Sequence, residues 1–142
     1  MTSDTPETER SGARPSSGSG IEAGRHLDAE DNKLLTLARG AMARAGAAAG
    51  AAVRDSDGRT YAAGPVELAA LQLSALQVAV AMAISSGAEG LEAGLLVGGS
   101  GTTTGDRVDT DPGLAALTEV SSSAYAIVAD AQGGNPRRLD RE

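Results

Sequence analysis

The chain has 142 residues, a net charge of −7 and no Cys, Trp or Phe. Disulfides and thiolate metal sites are excluded, and so is a basic surface of the kind that meets the phosphates of nucleic acid. Alanine and glycine dominate, and Tyr61 and Tyr125 are the only aromatic residues. Small side chains bury little area each, at about 25 cal/mol per Å², against an ordering cost of about 1.5 kcal/mol per residue. A lone domain of this composition gains from burial between subunits, so a homo-oligomer is expected, a tetramer before a dimer.

Residues 1–28 are rich in Ser, Thr, Gly, Pro and charge, with Ile21 and Leu27 the only aliphatic side chains larger than alanine. Such a stretch cannot offset its entropy by burial and reads as a disordered tail. It has no apolar core of the kind found in secretory signals, which makes a cytoplasmic location the expectation. His26, the only histidine, falls in this tail and reads as solvated. Residues 29–130 read as one folded domain and 131–142 as a polar C-terminal tail.

A first helix is expected from Ala29 to Ala45, capped by Asp28 or Asp31, with an apolar stripe through Leu34, Leu35, Leu37, Ala38, Ala41 and Met42 and a stop at Gly46. A strand of small residues follows over Ala47 to Arg54. Asp57-Gly58 then signals a hairpin with both turn positions at positive φ, and the return strand is Arg59 to Ala62. The stretch from Gly64 to Gly87 reads as one long helix, with Pro65 in its first turn and Gly87 at its end. Its length approaches that of a membrane span, but its reliance on alanine and its internal Gln72 and Gln77 argue against one. Apolar nearly all round, it calls for a sheet on one side and a partner subunit on the other, with Ala79 or Ala83 at that interface. Leu91 to Val97 suits a buried strand, Pro112 opens a short helix, and Ser123 to Asp130 forms the last strand. The order α-β-β-α-β-α-β makes a mixed sheet with helices on its faces, an α/β domain.

Several constellations lack the residues their chemistry needs. The Gly98 to Asp106 stretch, GGSGTTTGD, has the glycines of a phosphate loop without its Lys. Asp106, Asp109 and Asp111 do not follow the spacing of a calcium loop, and read as a solvated acidic connection. Ser74 and Ser121 to Ser123 have no histidine in the domain to serve as base.

Ala47 to Glu67, AAAGAAVRDSDGRTYAAGPVE, resembles the strand-hairpin-strand block of the small homotetrameric cytidine deaminases, which reads approximately FPVGAALLTEDGRIYTGCNVE. The likeness continues through LEAGLLV and the Pro112 helix to SAYAIVAD, over about Asp31 to Asp130. It implies a three-layer cytidine deaminase-like fold. It also implies a zinc ion held by a C-A-E segment and a P-C-x-x-C segment at two helix N-termini, with the Glu as proton shuttle. At the matching places the chain has Ser74-Ala75-Leu76 and Pro112-Gly113-Leu114-Ala115-Ala116. The ligand positions are thus Ser74, Gly113 and Ala116, and the catalytic carboxylate position is Leu76. The stretch from Glu67 to Ser74 is two residues shorter than in that family. Of the residues that grip the nucleoside there, the Asn is Pro65, the aromatic is Ala47, and only the ribose-binding Glu is kept, as Glu67. An acid in the first turn of a helix is also stabilised by the helix dipole alone.

Three functions are therefore open. The first is a catalytically inactive cytidine deaminase-like protein without a cofactor, acting as an oligomeric interaction module with an unnamed protein partner. The second is a non-catalytic binder of nucleosides or nucleotides using Glu67. The third is a cytidine deaminase with an unrecognised site.

Overall fold

The structure, a computed structural model, describes residues 27–98 and 111–139. The N-terminal tail to residue 26, the connection over 99–110 with Asp106 and Asp109, and residues 140–142 lie outside the described residues. The tail that ends at residue 28 and the loop readings above therefore fall mostly beyond them.

α1 (Ala29–Ala45) begins where an Asp can cap it: Asp28 accepts from the backbone N–H of Asp31 at 2.8 Å. Gly46 ends it in the left-handed conformation at φ 62°. β1 (Ala49–Asp55) and β2 (Thr60–Ala63) pair antiparallel. A small hairpin follows, β3 (Val66–Glu67) with β4 (Gln72–Leu73), and then α2 (Ala75–Ser85). β5 (Leu91–Gly98), α3 (Pro112–Val120), β6 (Tyr125–Ala129) and β7 (Arg137–Arg138) complete the chain.

The main sheet runs β2-β1-β5-β6-β7. β1 lies antiparallel to both neighbours, β5 and β6 are parallel, and β7 returns antiparallel to β6. α2 and α3 provide the two crossovers, β2 to β5 and β5 to β6. α1 covers one face, where Leu34 and Ala38 pack with Ala52, Leu95, Val97 and Ile127. The other face buries Leu76, Ala79 and Ala83 of α2 and Leu117 of α3 against Val53, Leu96 and Val128. The mixed α/β class and three-layer arrangement expected from the sequence are those observed.

Three local expectations are corrected. The helix does not begin at Pro65, because Val66 and Glu67 pair with Leu73 and Gln72, and Leu68 and Leu71 exchange backbone hydrogen bonds of 2.9 and 3.2 Å. It begins at Ala75, where Ser74 and Gln77 form a reciprocal capping box. Ala79 and Ala83, both fully buried, then face the chain's own sheet rather than a partner. In the hairpin between β1 and β2, only Gly58 takes a positive φ, of 88°. The loop is Ser56-Asp57-Gly58, with the Gly58 N–H donating to the Asp55 carbonyl at 3.0 Å and the Asp55 N–H to the Arg59 carbonyl at 2.8 Å. Beyond these three, Arg137–Arg138 of the C-terminal stretch pair with β6 as β7, and the Arg138 guanidinium lies 3.7 Å over the Tyr125 ring.

Two polar networks fasten the sheet. On the α1 face, buried Arg54 donates to Glu92 Oε1 at 2.9 Å and to the Tyr125 hydroxyl at 2.8 Å, and pairs with Asp31 at 3.3 Å. The Tyr125 hydroxyl in turn donates to Asp31 Oδ1 at 2.8 Å. Burial works to lower the pKa of Arg54, but its bonds to Glu92 and Tyr125 outweigh that and raise it. Burial and the bond to Asp31 push the Tyr125 hydroxyl upward.

The second network closes the hairpin. Asp55, 1% exposed, accepts from the N–H groups of Asp57 and Arg59 at 2.9 Å each and from the Tyr61 hydroxyl at 2.9 Å. Burial alone would raise its pKa; these donors prevail and lower it from the ordinary 3.8. Asp55→Ala is expected to lower unfolding free energy by about 1–3 kcal/mol at neutral pH. Because the folded pKa is depressed, the ionised carboxylate contributes fully above its unfolded value, and that contribution is lost as pH falls through the folded one. Urea titrations of both proteins should therefore differ at pH 7 and converge in acid below 3.8. A difference that grows on acidification contradicts this account.

Candidate functional site

A cleft of about 260 Å³ opens at the carboxyl end of β5, beside the N-termini of α2 and α3, the place where open α/β sheets bind ligands. Its walls include Ala49, Pro65, Leu96 and Gly98, and its polar side chains are Glu67, Ser74 and Asp111.

Each polar group has a local reason for its place. Ser74 caps α2: its Oγ accepts from the Gln77 N–H at 3.1 Å, while Gln77 Oε1 accepts from the Ser74 N–H at 2.9 Å. Asp111 caps α3, accepting from the Gly113 N–H at 2.7 Å, with Pro112 in the first turn. The two caps meet, since Ser74 Oγ donates to Asp111 Oδ1 at 2.9 Å. Glu67 lies exposed on β3 and not in a helix, so the helix-dipole account of this residue fails and its place on the cleft wall remains.

The structure thus brings Ser74 and Gly113 to one junction through Asp111. Leu76 is there too, but it points inward and is 1% exposed. A Cβ built on Gly113 would stand 2.5 Å from Leu76 Cβ, 2.7 Å from Leu76 Cγ and 2.9 Å from the Gln77 nitrogen. The α2–α3 contact is closed around a glycine. Ala116 lies a turn further along α3, half-buried against the same core.

Zinc takes thiolate, imidazole or carboxylate ligands. Ser74, Gly113 and Ala116 offer a hydroxyl, a hydrogen and a methyl group, and the one carboxylate bonded to them, Asp111, has its Oδ1 engaged by both Ser74 and Gly113 and cannot make a zinc site alone. These residues do not fit a zinc ion. Among the described residues, no three His, Cys, Asp or Glu side chains converge. The Ser74 hydroxyl is held by both caps, and no imidazole lies among the described residues.

Asp111, expected in a solvated acidic connection, is instead the part-buried N-cap of α3. Its signal was local: an Asp immediately before a Pro that starts a helix. Ser74-Ala75-Leu76-Gln77 likewise carries the S-x-x-Q form of a capping box ahead of an apolar run. A second hollow of about 360 Å³ lies at the opposite end of the sheet, beside Ser56, Glu92 and Ser121. Its polar groups tie loops together, with Ser121 Oγ accepting from the Leu91 N–H at 2.9 Å.

The sequence profile of the family described as "Cytidine deaminase-like" matches residues 27–133. The chain belongs to the cytidine deaminase-like family. The fold agrees with that assignment: a solved cytidine deaminase from Burkholderia pseudomallei superposes with a TM-score of 0.56 at 21% identity, over 77% of this chain and 91% of that one. Comparison with curated proteins gives no significant match.

The tightness of the α2–α3 contact can be weighed directly. Inside a helix, alanine is favoured over glycine by about 0.8–1 kcal/mol. At position 113 the added methyl meets Leu76 Cβ and a backbone nitrogen, and overpacking of that kind costs about 1–3 kcal/mol. Gly113→Ala is therefore expected to lower the urea midpoint. A variant as stable as the wild type would show that the helices stand further apart than described.

Proposed function

We propose that the chain is a catalytically inactive member of the cytidine deaminase-like family that works as an oligomeric interaction module. The observation that carries this reading is the occupant of position 76. Where the resemblance implies the proton-shuttling Glu, a leucine is packed into the junction of two helices against Gly113. A hydrocarbon buried there neither moves a proton nor polarises a water. The ligand positions Ser74, Gly113 and Ala116 point the same way, with no cofactor in the proposed function.

Self-association is supported by apolar side chains left on the surface. Met82 and Ile84 of α2 are 38% and 45% exposed, and Leu68 and Leu71 of the β3–β4 hairpin are 59% and 48% exposed. Burying these side chains between subunits would add apolar contact to a core built of small residues. Among the described residues no helix is long and apolar enough to cross a membrane, and we place the protein in the cytoplasm. An unnamed protein partner belongs to the same reading.

One observation favours a second reading. The cleft is open, with Glu67 and Asp111 on its walls, which suits a nucleoside or nucleotide bound without being changed. Thermal-shift measurements against nucleosides separate the two: a saturable rise in melting temperature supports the binder, and none supports the interaction module.

Cytidine and deoxycytidine incubated with the protein should be recovered unchanged. Uridine formed above the protein-free control, and abolished by a point substitution in the domain, would overturn inactivity and restore the third reading, a deaminase with an unrecognised site.

Light scattering should give a homo-oligomer, a tetramer before a dimer. Ile84→Glu or Met82→Glu should lower the assembly state while circular dichroism stays unchanged, since both side chains lie outside the chain's own core. A wild-type monomer at micromolar concentration contradicts the proposal.

A further inference from the structure

Ser74 and Asp111 are 37 residues apart and cap different helices, yet their side chains share a hydrogen bond of 2.9 Å. We propose that this pair is a clasp: it fastens the N-termini of α2 and α3 at the junction where the family resemblance implies zinc, and it shuts that junction to the ion. The inference rests on the inactive reading only in so far as both leave zinc out of the junction.

Charge is the first argument. The N-terminus of each helix carries a partial positive charge of about half a unit, and neither α2 nor α3 has an acidic residue in its first turn. The Asp111 carboxylate faces both termini at once, accepting from the Gly113 N–H at 2.7 Å and from the hydroxyl that caps α2. One anion therefore serves two helix ends. A cation at the same point would confront both positive ends and would need anionic ligands to be held. The three ligand positions supply none.

Steric fit is the second argument. A Cys at position 113 needs a Cβ, which would stand 2.5 Å from Leu76 Cβ and 2.9 Å from the Gln77 nitrogen. Every residue except glycine at position 76 has that Cβ, glutamate included, and the Gln77 nitrogen is backbone. Restoring ligand and proton shuttle by substitution alone cannot reopen the junction; the helices would have to separate. The junction has been rebuilt rather than vacated, with Leu76 and Gly113 as its apolar half and Ser74 and Asp111 as its polar half.

The test compares Ser74→Asn with Ser74→Asp in the full chain by urea unfolding. Asn and Asp are nearly equal as helix caps, and the dipole favours Asp, so a residue that merely caps α2 would tolerate both. In the clasp, Ser74→Asp sets two carboxylates against each other. Its unfolding equilibrium constant should exceed that of Ser74→Asn by about tenfold or more, and Asp111→Asn added to Ser74→Asp should recover most of the loss. The wild-type midpoint should not move with zinc or with a chelator. Equal stability of the two position-74 variants, whether both match the wild type or both unfold, overturns the clasp, and so does a chelator that lowers the wild-type midpoint. None of these readouts measures deamination. Uridine formed by a chain that shows the Ser74→Asp penalty and no chelator effect would remove the inactive reading and leave the clasp.

Discussion

The structure depends on how closely elements built from small side chains must approach one another. Among the described residues the buried apolar side chains are alanines, leucines and valines with one isoleucine, and aromatic rings are absent from the fully buried set. Bulk cannot fill the gaps between layers, so backbones come together where glycine or alanine allows it. A Cβ on Gly50 of β1 would lie 2.3 Å from the Ala38 carbonyl of α1. On the other face Gly113 plays the same part between α3 and α2. In close-packed interiors a single added methylene is felt, and here the tolerance at these crossings is smaller still.

That constraint bears on function. The chain has the family's fold and a cleft at the carboxyl end of β5, while Ser74, Leu76 and Gly113 stand where the resemblance implies zinc ligands and a proton-shuttling Glu. Fold and chemistry are separable, because chemistry resides in a few side chains placed on a scaffold. Here the scaffold keeps two helix N-termini aimed at one point, and the point is occupied by a carboxylate, a hydroxyl and a leucine. Such an arrangement stabilises the joint between helices.

Elements governed by local physics were legible in the sequence. α1 runs over Ala29–Ala45 as expected because an Asp cap, an apolar stripe and a glycine stop coincide. β5 and α3 were legible for similar reasons. The segment before α2 misled because Pro65 and a continuous apolar run satisfy the rules for a helix start, while the competing signal, the Ser74–Gln77 capping box, sits in the middle of that run. β7 has only two residues and rests on pairing with β6 and on Arg138 over Tyr125, contacts that no local pattern encodes. The same holds for Arg54, whose partners Asp31, Glu92 and Tyr125 come from three other elements. For the candidate site, the resemblance located Ser74, Leu76 and Gly113, but the bond from Ser74 to Asp111 is a product of tertiary structure.

The central claim is that the helix junction has no place for a metal. Native mass spectrometry of the full chain, purified from zinc-supplemented culture and exchanged into volatile buffer, addresses it most directly. Structural zinc sites bind with apparent energies of about 10–16 kcal/mol, so an ion held there would survive the exchange. The account predicts a subunit mass equal to that of the polypeptide alone. One zinc per chain, removed by Ser74→Ala or Asp111→Ala and not by substitutions elsewhere, would contradict it.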